Sequence, residues 1–278
     1  MFFSLWQVGL DIQMSGVRAL AVLKRRYGWQ VRYWWYHPLD KGVLQNGNLH
    51  KPEKLTEVFR LLAQLLPKNI SLRINLPAQR ILQKSIPKPD KRLREPACRE
   101  FIQFNAKKQF SINDQTLSLD YRAPIKNSTS LLMTAAHQQE INAWQNCLEN
   151  AGLKPNVIDI SPCALRYMAA EAKLSQEHIL LHQLENEWLW TSPLNTPFRY
   201  GLISGTQENI IEELRCVYSD GYRPMSQIYY TGLLEVAPPK NTIPWSPFLA
   251  FKQFQPPLPA LPMSFALAGG LAVRPKDF

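Results

Sequence analysis

Residues 5–24 read LWQVGLDIQMSGVRALAVLK, two apolar runs parted by the short break Gln13, Met14, Ser15, Gly16. Each run has the length and β-branched content of a strand, and Gly16 permits the turn between them. After Gly28 the chain resumes with WQVRYWWYH, residues 29–37, so it opens as a three-strand meander. A helix follows in PEKLTEVFRLLAQLL, residues 52–66, where Leu55, Val58, Phe59, Leu62, Leu65 and Leu66 recur at the spacing of one helix face. Pro52 suits its first turn and Pro67 closes it. The run ISLRINL, residues 70–76, is again a strand. Three strands, a helix and a strand predict a mixed sheet with helices packed on it.

Beyond Leu82 the pattern changes. Lys84, Lys88, Lys91, Arg92, Arg94, Arg99, Lys107 and Lys108 are interleaved with Phe101, Phe104 and Phe110. REPACREFIQFNAKKQF reads as an amphipathic helix, with TLSLDYRAP and SLLMTAA as a strand pair behind it. Together they predict a subdomain inserted at about 82–136. QQEINAWQNCLENAG sets Ile141, Trp144 and Leu148 on one helix face and stops at Gly152. The strand PNVIDI and the helix PCALRYMAAEAKL complete a first half, 1–175. At His178 the plan restarts: HILLHQL, EWLWTSP and PFRYGLIS as a meander, a helix from Thr206, then the strand SQIYYTG. Two related halves are expected, the second spanning 176–278. Its residues 236–262 hold eight prolines and predict short, interrupted structure. SFALAGGLAVRP reads as a closing helix whose small residues admit another backbone.

Composition excludes several classes. With 278 residues, 45% of them hydrophobic and 19% charged, the chain can bury a large core. No run approaches the ~20 apolar residues of a membrane-spanning helix. The opening MFFSLWQVGLD lacks a basic leader and is interrupted by Asp11, which predicts a cytoplasmic protein. Cys98, Cys147, Cys163 and Cys216 are scattered without a CxxC pair, so they read as buried structural thiols rather than disulfides or zinc ligands. His178 and His182 have metal-ligand spacing for a helix, but on a strand they stand ~13 Å apart. No nucleophile elbow or P-loop occurs. The net charge of +10 is uneven: residues 1–110 hold 20 basic and 7 acidic side chains, the remainder 12 and 15.

Several local motifs converge on one family. GLDIQMSGVRALAV resembles the opening strand and first phosphate turn of the PilM family of type IV pilus assembly proteins. SLDYRAP and SLLMTAAHQQEINAWQNCLENAGLKPNVIDISPCALRY resemble that family's middle section, and FRYGLISG and ALAGGLAVRP its second-half turn and closing helix. The likeness is collinear over nearly the whole chain and nearest to the enteric, DNA-utilisation (HofM) branch. It implies the actin-like α/β fold, in which two ribonuclease-H-like halves flank a nucleotide cleft and a subdomain is inserted in the first. It also implies a cytoplasmic scaffold of a pilus or DNA-uptake machine, peripheral to the inner membrane and bound to the N-terminal tail of a PilN-like single-pass protein. The groove for that tail is expected in the first half.

In such a fold, turn amides hold phosphates and carboxylates organise Mg²⁺. The resemblance places Asp11, Ser15, Gly16 and Arg18 at the first turn, Gly232 at a later turn and Gly269 and Gly270 at the closing helix as candidates for ATP with Mg²⁺. The pattern is degenerate. Gln13 replaces a family Gly, Arg18 a Lys, and His182 and Gln183 stand where Asp and Ile fall. The expectation is therefore a scaffold rather than an enzyme, the alternative being a working ATP-binding switch. Structural readings stand beside these: Asp11 as a turn cap, Ser15 and Gly16 as turn residues, Gly269 and Gly270 as helix-packing residues. For the basic stretch, steering to an anionic membrane surface, a plain solvated face and a DNA-binding module are all open. Phe101 and Phe104, three apart, have core-face spacing. Homo-oligomer formation is left open.

Overall fold

The break at Gln13–Gly16 closes a hairpin: β1 (Trp6–Gln13) runs antiparallel to β2 (Gly16–Arg25), with Asp11 opposite Arg18. The computed structural model describes residues 5–90, 92–110, 117–123, 129–218, 227–254 and 257–275. Lys91 lies outside them. β3 (Gly28–Pro38) continues the meander antiparallel to β2. After a small hairpin, β4 (Leu44–Gln45) and β5 (Asn48–Leu49), comes α1 (Pro52–Leu65). Leu55, Val58, Phe59 and Leu62 form its buried face as expected. Leu65 does not join them and is 48% exposed, because the helix ends there and Leu66 is extended. β6 (Ile70–Leu76) then pairs parallel with β1.

The inserted elements are β7 (Leu82–Pro87), α2 (Ala97–Phe110), β8 (Leu117–Arg122) and β9 (Ser130–His137), with strand order β7-β9-β8. They have their own small core of Ile86, Ile102, Ala106, Leu131 and Met133. α3 (Gln138–Glu149) buries Trp144 and Leu148, and Gly152 just beyond it takes φ +77°, the left-handed conformation that favours glycine. β10 (Pro155–Ile160), parallel to β6, and α4 (Ser161–Glu171) follow.

The second sheet repeats the first. β11 (Ile179–Gln183), β12 (Trp188–Thr191) and β13 (Tyr200–Ile203) form an antiparallel meander. After α5 (Ile210–Val217), β14 (Ile228–Gly232) and β15 (Thr242–Pro244) add in parallel beside β11. The order β13-β12-β11-β14-β15 has the same topology as β3-β2-β1-β6-β10. The helix expected from Thr206 starts one turn later, because residues 206–209 form an entry turn closed by the Ile210 amide on the Thr206 carbonyl at 3.0 Å.

The chain then crosses back. β16 (Phe251–Phe254), within the proline-rich stretch, pairs parallel with β3 at the edge of the first sheet. α6 (Ala266–Val273) lies on β1, β2, β6 and α4. It approaches so closely that a Cβ on Gly9 would stand 1.9 Å from the Ala268 carbonyl, and one on Gly270 1.8 Å from that of Ala164. Buried Arg73 caps the helix's C-terminal end, its Nη1 donating to the carbonyls of Leu271, Ala272 and Arg274 at 2.8–3.1 Å. One apolar cluster therefore joins β2, α4, β11, β12 and α6 across both lobes. Among the described residues no helix is long and apolar enough to cross a membrane.

Candidate functional site

The β1/β2 hairpin delivers Asp11, Ser15, Gly16 and Arg18 to one place between the lobes. Asp11 is fully buried. Its Oδ1 accepts from Asn75 Nδ2 at 3.0 Å and Gln13 Nε2 at 2.7 Å, while Oδ2 has no protein partner. Burial pushes its carboxyl up to about 6, against the hydrogen bonds and the charge of Arg18 that hold it down. Arg18, cross-strand from Asp11, is buried over the Tyr36 ring at 4.7 Å, with Nε and Nη1 unpartnered. From the second lobe, His182 on β11 is fully buried with both ring nitrogens unpartnered; burial, then Arg18, push it down to about 3, so it is neutral at pH 7.

The remaining candidates lie differently. Gly232 ends β14 opposite Gln183, where a Cβ would meet the Gln183 and Tyr230 side chains at 2.9 Å. Gly269 and Gly270 face Met168 and Ala164 of α4 in apolar packing rather than the polar cluster. His178 rests on the Tyr229 ring, apart from that cluster's contacts. Cys147 and Cys163 are buried as expected, but Cys98 is only half-buried and Cys216 is exposed, which corrects the expectation that all four thiols are buried.

The loop between β11 and β12, Leu184–Glu187, follows His182 and Gln183 and reaches into the first lobe through carboxylates that the sequence did not mark. Glu185 Oε1 accepts the Ser15 amide at 2.7 Å, and Gln79 Nε2 donates to Glu187 Oε2 at 2.7 Å. The cavity left between Gln13, Met14, Gly47, Gln79, Glu185 and Glu187 is about 20 Å³, room for about one water where small-molecule sites measure several hundred Å³. The residues present do not fit a nucleoside triphosphate with its metal. A carboxylate faces the turn amide, the Gln13 side chain lies over Asp11, and a neutral imidazole replaces the second acid.

A larger recess, about 330 Å³, opens where the inserted sheet meets the first lobe. β8 is the sheet's edge strand, and its Ser118, Leu119, Asp120 and Arg122 line one side. Leu76, Ile81, Ile141 and Ile158 supply apolar walls. Arg122 crosses the floor, 3.0 Å from Asp120 and 3.9 Å from Asp159, its Nη1 donating to Cys163 Sγ at 3.1 Å. Asp159 is held in turn by Arg274, and burial pushes the Cys163 thiol up to about 12, leaving it unreactive. Strand alternation marks β8 as a strand but not as an edge, and no spacing in the sequence brings residues 76, 120, 141 and 158 together.

On the same subdomain Lys84, Lys88, Arg92, Arg94, Arg99, Lys107 and Lys108 are exposed. Phe101 and Phe110 pack on its core. Phe104 is 68% exposed, which corrects its placement on a core face: Ile102 and Ala106 take that role instead.

The comparisons with known proteins give the family and the fold. The family model described as type IV pilus assembly protein PilM matches residues 9–179. The DNA utilization protein HofM of Escherichia coli (strain K12) is 25% identical over 274 residues, 98% of each chain. Among solved structures, the PilM-PilN type IV pilus biogenesis complex superposes with a TM-score of 0.74 at 17% identity, over 96% of this chain and 97% of that one. The cytoplasmic domain of EpsL, an inner membrane component of the Vibrio cholerae type II secretion system, gives 0.57 at 12% identity, over 97% and 95%. A Bacteroides thetaiotaomicron protein with an actin-like ATPase fold gives 0.53 at 11%, over 84% of each. At these identities the structural likeness establishes the fold, which is actin-like.

Proposed function

Because this chain belongs to the type IV pilus assembly protein PilM family, we propose that it is a non-enzymatic adaptor of a pilus-like or DNA-utilisation machine. It holds the N-terminal cytoplasmic tail of a PilN-like inner-membrane protein in the recess beside β8. The observation that carries this reading is an edge strand bordering a recess with apolar walls and a charged floor. Such an edge offers unpaired main-chain groups to an extended segment, while the walls of Leu76, Ile81, Ile141 and Ile158 select its side chains. Arg122, Asp120 and Asp159 give a polar stop for one end of the segment. The solved complex of a PilM protein with PilN supports a partner of that kind. Against catalysis stands the small interlobe cavity, which has room for about one water and whose two carboxylates, Glu185 and Glu187, are already engaged by the Ser15 amide and Gln79. The chain accordingly works at the cytoplasmic face of the inner membrane through its partner.

Fluorescence titration with the N-terminal cytoplasmic peptide of a PilN-like protein from the same organism tests the reading. Saturable binding is expected, weakened at least tenfold by Ile141→Glu, which sets a charge against the apolar wall from a half-buried helix position. Equal affinity of the parent and a folded Ile141→Glu chain would remove the recess from the account.

A further inference from the structure

The loop joining β11 and β12 makes a contact that tail binding at β8 does not require. Met14 and Ser15 alone separate β1 from β2, whereas four residues, Leu184–Glu187, separate β11 from β12. The longer loop is rigid at its base. Leu184 is buried, and its amide bonds the Glu187 carbonyl at 2.9 Å. From that base two carboxylates project onto the other lobe, Glu185 to the Ser15 amide and Glu187 to Gln79 in the turn after β6. The Ser15 amide is a donor of the tight turn of the hairpin that, cross-strand from Asp11, also carries the buried Arg18, whose Nε and Nη1 lack partners. A turn amide is a place for an anion, and a charge-assisted bond to a carboxylate is about twice as strong as a neutral one.

We propose that Glu185 is a resident anion, occupying in cis the place where the first turn would receive a phosphate oxygen, and that with Glu187 it latches the two lobes together. The family's ancestral ligand site has thereby become an intramolecular clasp. A phosphate-bearing ligand reaches the Ser15 amide only when the Glu185 carboxylate withdraws. The groove beside β8 keeps its shape without any bound nucleotide, because the lobes are held by the chain itself.

The test is residue-resolved amide exchange by NMR on the full chain. Ser15 is expected to be protected in the parent. Glu185→Ala should raise its exchange rate at least tenfold, and millimolar inorganic phosphate should slow it again with saturation. Glu185→Gln, which still offers a carbonyl oxygen but no charge, should fall between. Glu185 is half-buried on a loop tip, so the alanine variant is expected to fold; if it does not, the glutamine variant carries the same comparison. Unchanged Ser15 exchange in a folded variant overturns the proposal. So does saturable Mg-ATP or phosphate binding to the parent with the Ser15 protection left intact. Tail-peptide affinity, measured in the same samples, reports separately on the recess, so loss of one reading does not carry the other with it.

Discussion

Asp11 and His182 occupy matching strands of the two sheets, β1 and β11, and both are fully buried near the tip of a hairpin, yet burial moves them in opposite directions. The carboxyl of Asp11 is raised from 3.8 to about 6, and the imidazole of His182 is lowered from 6.5 to about 3. One lobe has kept an acid, steadied by Asn75 and Gln13. The other holds an unpartnered neutral ring and answers the acid's lobe with Glu185 instead. Duplicated topology thus does not preserve duplicated chemistry: matching strands carry a buried acid in one lobe and a buried neutral imidazole in the other.

The contrast makes opposite claims about pH. For His182 the native state binds fewer protons than the unfolded chain between about pH 3 and 6.5, so stability is complete above 6.5 and is lost on acidification. His182→Leu should reduce the acid-induced loss between pH 6.5 and 3.5 by about 4 kcal/mol, from about 1.4 kcal/mol per pH unit; urea titrations at several pH values read this directly. A parent-like pH slope in that variant would break the contrast from the His182 side. Asp11 behaves inversely. Its native state binds more protons between pH 3.8 and about 6, so stability falls as pH rises through that window and is then level. Asp11→Asn keeps an oxygen for Asn75 and Gln13 to donate to, and should be more stable than the parent by about 3 kcal/mol at pH 7 but not at pH 3.5. A loss at pH 7 would mean that the carboxylate, not the neutral acid, is what the site favours. The smallest expected change is Gln79→Ala, which leaves Glu187 half-exposed and partnerless: about 1 kcal/mol, seen as a lowered urea midpoint with an unchanged slope.

Much of the fold was legible because it is written in local pattern. The meander before α1, the buried face of that helix and the restart at His178 each follow from strand alternation, helix spacing and turn residues within short windows. What local pattern cannot show is where a segment goes afterwards. The run FKQF gives no sign that β16 would leave the second lobe's strands and pair with β3. Phe104 has the spacing of a core residue, but the small inserted sheet is already covered by Ile102 and Ala106. The candidate site divides in the same way. Asp11, Ser15, Gly16 and Arg18 are near neighbours in one hairpin and were found together. Glu185 is 170 residues from Ser15, and only the apposition of two lobes discloses it. Asn75 and Gln79 were hidden for the same reason, lying at the end of β6 and just after it.

The central claim is that the chain holds its partner beside β8 while its interlobe cleft stays shut. Amide spectra recorded while the tail peptide is added in the presence of Mg-ATP test it most directly. Saturable shifts confined to Ser118–Arg122 and the start of α3, with Ser15 and Gly16 unmoved by nucleotide, are the expected result. Saturable, Mg-ATP-dependent shifts at Ser15 and Gly16, with the β8 resonances indifferent to peptide, would contradict it.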